Sequence, residues 1–267
     1  MYVIAFPAID PVLVQVGPFA IRWYALAYIA GIVIAWQMMM RMATWPGAKY
    51  TRNDADDALL WMTAGVILGG RLGYVLFYKP LYFLSHPLEI AQVWQGGMSF
   101  HGGMLGVVLA TILFTRRRKI PLLNFGDRLA LVAPVGLFFG RIANFINGEL
   151  WGRPSEAPWA MIFPSGGPWP RHPSQLYQAA LEGVVLLAVL WTLRRLPVAR
   201  NDGFLTGAFL TGYGVARIIG ELFREPDGHL GFLFAHITMG QVLSLPMVLI
   251  GLAIIAWALR GRTRGAA

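Results

Sequence analysis

The 267-residue chain has no cysteine. Disulfides, thiolate metal sites and a thiol nucleophile of its own are therefore excluded. Charge is scarce as well. Asp, Glu, Lys and Arg make up 13% of the residues, against about 25% in a soluble domain. Acidic side chains are the scarcer kind, 13 against 22 basic ones. No basic residue precedes Arg22, and no small-residue cleavage site follows a short apolar core, so the start does not read as a cleavable signal. No repeat of 20–50 residues is visible, which removes the inverted-repeat signature of many transporters. His101, His172, His229 and His236 lack close ligand spacing, so the expectation is no metal and no cofactor.

What the chain has is apolar sequence, 57% of the total, arranged in blocks. These run roughly Ile21–Met40, Ala58–Phe77, Gly97–Thr115, Arg128–Ile146, Gln175–Leu193, Phe204–Leu222 and Met239–Leu259. Most are near the ~20 residues that a helix needs to cross the hydrocarbon core. The fold class is all-α, a polytopic integral membrane protein of about seven transmembrane helices, with residues 1–267 as a single integral domain. The third block is the shortest. About 13 residues separate Gly102 from Arg116, or ~20 Å of helix. Either that helix starts earlier or His101 lies below the membrane surface. The net charge of +9 invites a nucleic-acid reading, but the basic residues alternate with the spans, so no nucleic-acid partner is expected.

Orientation follows from that alternation. Fourteen basic residues follow spans one, three, five and seven, among them Arg116, Arg117, Arg118, Lys119, Arg260, Arg262 and Arg264; five lie at the other ends. The N-terminus is thus expected outside and the C-terminus in the cytoplasm. Arg71, Arg141 and Arg217 belong to neither side because they fall within spans. The outward segment 148–173 carries Trp151, Trp159, Trp169 and six prolines. It is too broken for a helix and too aromatic for a disordered linker, so it reads as an ordered arm at the outer interface. Segment 79–97 has room for a short interfacial helix. The spacings Gly65/Gly69/Gly73, Gly136/Gly140 and Gly203/Gly207 allow close helix contact.

Polar residues gather in four clusters on the outer side or at mid-depth. They are Arg22-Trp23-Tyr24, then His101-Gly102-Gly103, then Gly140-Arg141 through Gly152, and finally Tyr213, Arg217 and Glu221 together with His172-Pro173-Ser174-Gln175-Leu176-Tyr177. Each has an ordinary reading. Tyr24 suits an interface belt, His101 a helix start, and Asn144 interhelical hydrogen bonding. Arg217 and Glu221, at i and i+4, suit mutual neutralisation. Arg141 has no acidic residue within one turn. Residues that merely hold helices together have no reason to gather on one leaflet side of four spans, and charge at membrane depth costs roughly 2.5–3.5 kcal/mol on insertion scales.

Gly140-Arg141-x-x-Asn144-Phe145-x-Asn147-x-Glu149-x-x-Gly152 resembles the signature of the prolipoprotein diacylglyceryl transferases of bacterial inner membranes. The His101-Gly102-Gly103 and His172–Tyr177 runs, and Tyr213 with Arg217 and Glu221, are similar to further motifs of that family. The resemblance covers nearly the whole chain. It implies transfer of the diacylglyceryl group of phosphatidylglycerol to the lipobox cysteine thiol of a preprolipoprotein signal peptide, giving a thioether and glycerol phosphate. Phosphatidylglycerol, the signal peptide and surrounding membrane lipids are the partners so implied.

The residue chemistry agrees independently. A lipid phosphodiester is anionic and gains charge as its glycerol C–O bond breaks. Arginine meets that charge with a paired fork, so Arg141 and Arg217 read as a phosphate clamp. A thiol is a poor nucleophile until deprotonated, and His101 is the leading general base. Whether a glutamate takes that proton instead stays open. Glu149 and Glu221 orient the arginines or meet glycerol hydroxyls, while Tyr24, Asn144, Asn147, Gly152 and Tyr213 complete the substrate-binding set. The competing class is a lipid-binding carrier or secondary transporter. That class would distribute polar groups toward both faces and break its helices near mid-span.

Overall fold

The computed structural model describes residues 4–7, 9–17, 19–226, 231–233 and 237–264, without the side chains of 261–264. His229 and His236 lie outside the described residues, as do the side chains of Arg262 and Arg264. Eight helices are described: α1 (Trp23–Met42), α2 (Arg52–Tyr78), α3 (Pro80–Ser85), α4 (Phe100–Arg118), α5 (Leu122–Ile146), α6 (Ser174–Leu193), α7 (Phe204–Glu221) and α8 (Met239–Arg264). Strands are minor. β1 (Ile4–Ala5) pairs in parallel with β4 (Met161–Ile162), and β2 (Val12–Val16) forms a hairpin with β3 (Phe19–Arg22).

Five helices, α1, α2, α5, α6 and α8, are long and apolar enough to cross a membrane. They coincide with the first, second, fourth, fifth and seventh apolar blocks, so the chain is a mostly helical, multi-pass membrane protein. The first block begins differently from its expected edge. Ile21 is the third residue of β3, and the helix starts at Trp23. The third and sixth blocks form helices of 19 and 18 residues that are less apolar. Three arginines end α4, while Arg217 and Glu221 interrupt the second half of α7.

The chain divides into two compact units, residues 39–125 and residues 1–38 with 126–267. In the first, α2 and α4 pack through glycine. A Cβ on Gly65 would lie 2.9 Å from the Ala110 Cβ, and one on Gly73 would lie 2.7 Å from the Gly102 Cα. A helix crossing this tight is the packing that the Gly65/Gly69/Gly73 spacing implied. Thr51 begins α2 with a reciprocal capping box to Asp54. Arg118, the last residue of α4, pairs with Asp54 and Asp57 at that same end. Segment 79–97 holds α3 and two 3₁₀ turns, over Pro87–Ala91 and Val93–Gln95.

In the second unit α7 and α8 make the most extensive helix pairing. Gly207 is the reason they approach closely, since a Cβ there would lie 2.7 Å from the Gly251 carbonyl oxygen. Gly203 has another task. Its φ of +97° places it in the left-handed region at the start of α7. Buried Asp127 on α5 supplies the missing cap. Its carboxylate accepts from the Gly203 and Thr206 backbone N–H groups at 2.8 and 2.7 Å and from the Thr206 hydroxyl at 2.7 Å. A Cβ on Gly31 of α1 would lie 3.3 Å from the Gly136 Cα, whereas a Cβ on Gly136 or on Gly140 would meet nothing within 4 Å. The Gly203/Gly207 and Gly136/Gly140 spacings are therefore not simple packing pairs.

The arm over residues 148–173 is ordered. Phe163 is fully buried between Phe6 and Phe145. Bridges join Pro154 and Met161 to Arg171, and Gly152 to Arg224.

Candidate active site

α5, α6 and α7 each bring a charged side chain to one chain of ion pairs. Arg141, five residues before the end of α5, directs Nε and Nη2 to Glu182 Oε2 at 3.1 and 3.0 Å. Glu182 Oε1 lies 3.7 Å from Arg217 Nη1 on α7. Arg217 Nη2 meets Glu221 Oε1 at 2.7 Å, and the same oxygen accepts from Arg224 Nη1 at 3.1 Å. Glu221 Oε2 accepts from the Thr238 hydroxyl at 2.6 Å. The order is thus Arg141, Glu182, Arg217, Glu221, Arg224, with cation and anion alternating. Such alternation is what permits charge in a buried place.

Glu182 is the residue that sequence reasoning missed. It lies eight residues into an apolar run, and an acidic side chain at that depth was the available signal. It also corrects the reading of Arg141. No carboxylate stands within a turn of Arg141 on α5, but the fold supplies one from α6. The local backbone of α6 is unusual too. Residues Ala179–Val185, which include Glu182, are π-helical. A π segment inside an α-helix often marks a functional position. Gly183 beside it allows Phe138 of α5 to come close, with its Cβ 2.7 Å from where a glycine Cβ would stand.

The arginines are not fully consumed by these pairs. Among the described residues Arg141 Nη1 has no hydrogen-bond partner, and Arg217 Nη1 is buried without one. The side chains keep 15% and 14% exposure, whereas Glu182 has none. Tyr213, one turn before Arg217, lies within the electrostatic reach of Glu182, Arg217, Arg141 and Glu221. Its ring stacks on Phe209 at 6.0 Å.

A second polar group forms at the end of α5. Asn144 and Asn147 donate from Nδ2 to Glu149 Oε1, at 2.8 and 3.4 Å. The Tyr24 hydroxyl of α1 lies 3.2 Å from that of Tyr28 and within the electrostatic reach of Asn144 and Glu149. The amides assigned to a headgroup from sequence are thus engaged with Glu149, because a chain reversal at Gly148, with φ +64°, folds that glutamate back over the helix end. Gln175 Nε2 fixes the reversal by donating to the Glu149 carbonyl at 2.6 Å, and the Ser174 hydroxyl donates to the Leu150 carbonyl at 2.8 Å. These two bonds explain the polar Ser174-Gln175 start of α6.

Gly152 sits where strands of the arm meet. Its N–H donates to the His172 carbonyl at 2.9 Å, and a Cβ would lie 2.5 and 2.6 Å from the His172 and Phe223 carbonyl oxygens. Close backbone approach accounts for the glycine. His172 is packed against Phe223 and bonded to the Tyr177 hydroxyl at 3.1 Å, and burial lowers its pKa from 6.5.

His101 belongs to the other compact unit. It lies in the first turn of α4, exposed, with its ring edge-on to Phe100 at 5.6 Å and no hydrogen bond to a described residue. The helix starts at Phe100 and is capped by the Ser99 hydroxyl, which accepts from the Gly102 N–H at 3.2 Å. The capping reading of His101 is thereby removed. α4 begins about where a full-length span requires, rather than at Gly102. Arg71, the third mid-span arginine, is buried in the same unit and serves segment 79–97. Nε donates to the Ile90 carbonyl, Nη1 to those of Gly96 and Gly97, and Nη2 to that of Glu89, at 2.6–3.3 Å. Its guanidinium carbon stands 5.1 Å from the centre of the Phe83 ring. Among the described residues no cluster of three or more His, Asp and Glu side chains is arranged to hold a metal ion.

The sequence profile of prolipoprotein diacylglyceryl transferase matches residues 11–257. The chain belongs to that family. It is 58% identical to the phosphatidylglycerol–prolipoprotein diacylglyceryl transferase of Paramagnetospirillum magneticum over 99% of both chains. It is 56% identical to the enzymes of the same name from Rhodopseudomonas palustris, over 99% of this chain and 95% of that one, and from Rhodospirillum rubrum, over 98% and 97%. Family membership at this identity makes the chain a transferase of lipoprotein biosynthesis and disfavours the carrier alternative.

Proposed function

We infer that this chain transfers the diacylglyceryl group of phosphatidylglycerol to a prolipoprotein, the first step of lipoprotein lipidation. The single observation that carries the mechanism is the pair of guanidiniums, Arg141 and Arg217, joined by one carboxylate and each partly exposed, with Arg141 Nη1 lacking a hydrogen bond among the described residues. Such a pair suits a phosphodiester. The substrate cysteine thiolate attacks the glycerol carbon that bears the phosphate. The C–S bond forms, the C–O bond breaks, and glycerol phosphate departs with one more negative charge. Preorganised cations stabilise that charge most in a dry site. Arg141 and Arg217 bind the phosphate. Glu221, with both oxygens engaged by protein groups, orients Arg217. Tyr24, Asn144, Asn147, Glu149 and Tyr213 line the approach, and Gly152 keeps the arm closed against α7. His101 accepts the thiol proton as general base.

The finer topology is seven spans, with α4 and α7 completing the five more apolar helices, the N-terminus outside and the C-terminus in the cytoplasm of a bacterial inner membrane. Both compact units belong to one integral enzyme, and segment 148–173 is its periplasmic arm. The peptide partner is a signal peptide with a lipobox cysteine. Purified chain incubated with phosphatidylglycerol and a lipobox peptide yields the peptide heavier by one diacylglyceryl group; absence of that mass in folded protein removes the proposal. Reporter fusions after Arg118 and Arg200 read as cytoplasmic, and near Pro164 as external. An external reading after Arg118 overturns the orientation.

A further inference from the structure

We propose that Glu182 is a positioning residue that keeps the phosphate clamp from holding its product. This inference rests on the transferase reading above. Glu182 is completely buried and stands between the two clamp arginines: one oxygen takes two donors of Arg141, and the other stops 3.7 Å short of Arg217 Nη1. Both atoms of that longer contact, Glu182 Oε1 and Arg217 Nη1, are buried and without a hydrogen bond. Glu182 is carried by the π segment of α6, and Arg217 also meets Glu221 at 2.7 Å on the other side. Glu182 therefore compensates both guanidiniums while leaving Arg141 Nη1 without a hydrogen bond among the described residues.

The consequence lies in the charge change of the reaction. The substrate diester carries one negative charge; the departing phosphate monoester carries about 1.5–2 at pH 7. Without Glu182 the clamp would keep only Glu221 beside Arg217, and would favour the more highly charged product over the substrate. Release would then limit turnover, since binding that is not specific to the transition state does not accelerate the chemical step. A carboxylate fixed between the arginines lowers the site's affinity for any anion, and lowers it more for the anion of higher charge. At a few ångströms and an effective dielectric constant near 20, one unit charge changes anion affinity by roughly tenfold or more.

The test is Glu182→Gln in the full-length chain purified in detergent, assayed with phosphatidylglycerol and a lipobox peptide and with added glycerol phosphate. The amide keeps the shape and one acceptor for Arg141 but lacks the charge. The expected result is a lower KM for phosphatidylglycerol, a lower kcat, and an inhibition constant for glycerol phosphate reduced roughly tenfold, more than KM is reduced. A residue that only supports packing would leave that inhibition constant where it was. Glu182→Asp, whose shorter arm draws the charge away from both guanidiniums, lowers the constant by a smaller factor and serves if the glutamine variant does not fold. A folded variant that binds glycerol phosphate no tighter than the wild type overturns the assignment. A wild-type chain that transfers no diacylglyceryl group counts against the functional reading instead, so the two failures are distinguishable.

Discussion

Arg71 and Arg141 look alike in sequence: each is an arginine in the middle of an apolar run, with no acidic residue within a turn. Their surroundings differ. Arg71 directs every arm of its guanidinium to backbone carbonyls of segment 79–97, four bonds in all, and covers the face of Phe83. Arg141 gives two donors to Glu182 and leaves the third nitrogen without a partner among the described residues. The first arginine is a pin for an irregular loop, whose carbonyls have no helix or sheet to satisfy them. The second is a cation held in readiness. A charge at membrane depth therefore does not identify a site by itself. Its unclaimed donors do.

Substitution at the two positions sharpens that contrast. Arg141→Lys keeps the charge but not the fork, and turnover falls roughly 10²–10³-fold while the protein stays folded. Near-normal turnover would remove Arg141 from the clamp. Arg71→Lys has the opposite profile. One ammonium cannot reach four carbonyls spread along the loop, so stability falls by on the order of 3 kcal/mol and segment 79–97 becomes open to proteolysis, while the folded fraction keeps its specific activity. If Arg71→Lys instead folds normally and loses turnover, the distinction between the two arginines fails.

His101→Gln extends the comparison to the unit that holds Arg71. Turnover drops by about a hundredfold with little change in lipid binding, and raising the pH partly restores it because more substrate thiol is already ionised. An equal defect at every pH gives His101 a structural role at the start of α4. Gly152→Ala tests the arm. A Cβ 2.5–2.6 Å from two backbone carbonyls forces the strands apart, and thermal stability drops by about 1–3 kcal/mol, within the usual range for overpacking. An alanine variant of unchanged stability but altered lipid KM would return Gly152 to the substrate-binding set.

The smallest effect concerns pH. Burial lowers the His172 pKa from 6.5 in the folded chain. The unfolded chain then binds more protons than the folded one as pH falls through 6.5, so stability from this group is full above 6.5 and is lost progressively below it. Thermal unfolding of the wild type between pH 7.5 and 5.5 shows this acid loss, and His172→Gln reduces it. An identical slope in the variant would exclude His172 as its source.

The sequence alone determined the class of this protein and much of its outline. Apolar blocks of membrane length become helices almost wherever they occur, because a buried backbone must satisfy its own hydrogen bonds; five blocks gave strongly apolar helices and two gave less apolar ones. The Arg141–Gly152 run and the Tyr213, Arg217 and Glu221 spacing pointed to the family, since those polar residues have no cheap place in an apolar span. Tertiary structure alone decided the electrostatics. It brought Glu182 of α6 between Arg141 and Arg217, turned Glu149 back onto Asn144 and Asn147, and gave all of Arg71 to a loop. The decisive contacts are not local in sequence: Glu182 lies 41 residues from Arg141, and Arg71 reaches carbonyls 18 to 26 residues away, while Glu149 turns back on Asn147 only 2 residues before it. Helix period and spacing report which residues share a face. Which charge a guanidinium meets is set by how neighbouring helices are crossed and rotated, here by Gly183 beneath Phe138 and by a π segment that no residue pattern announces.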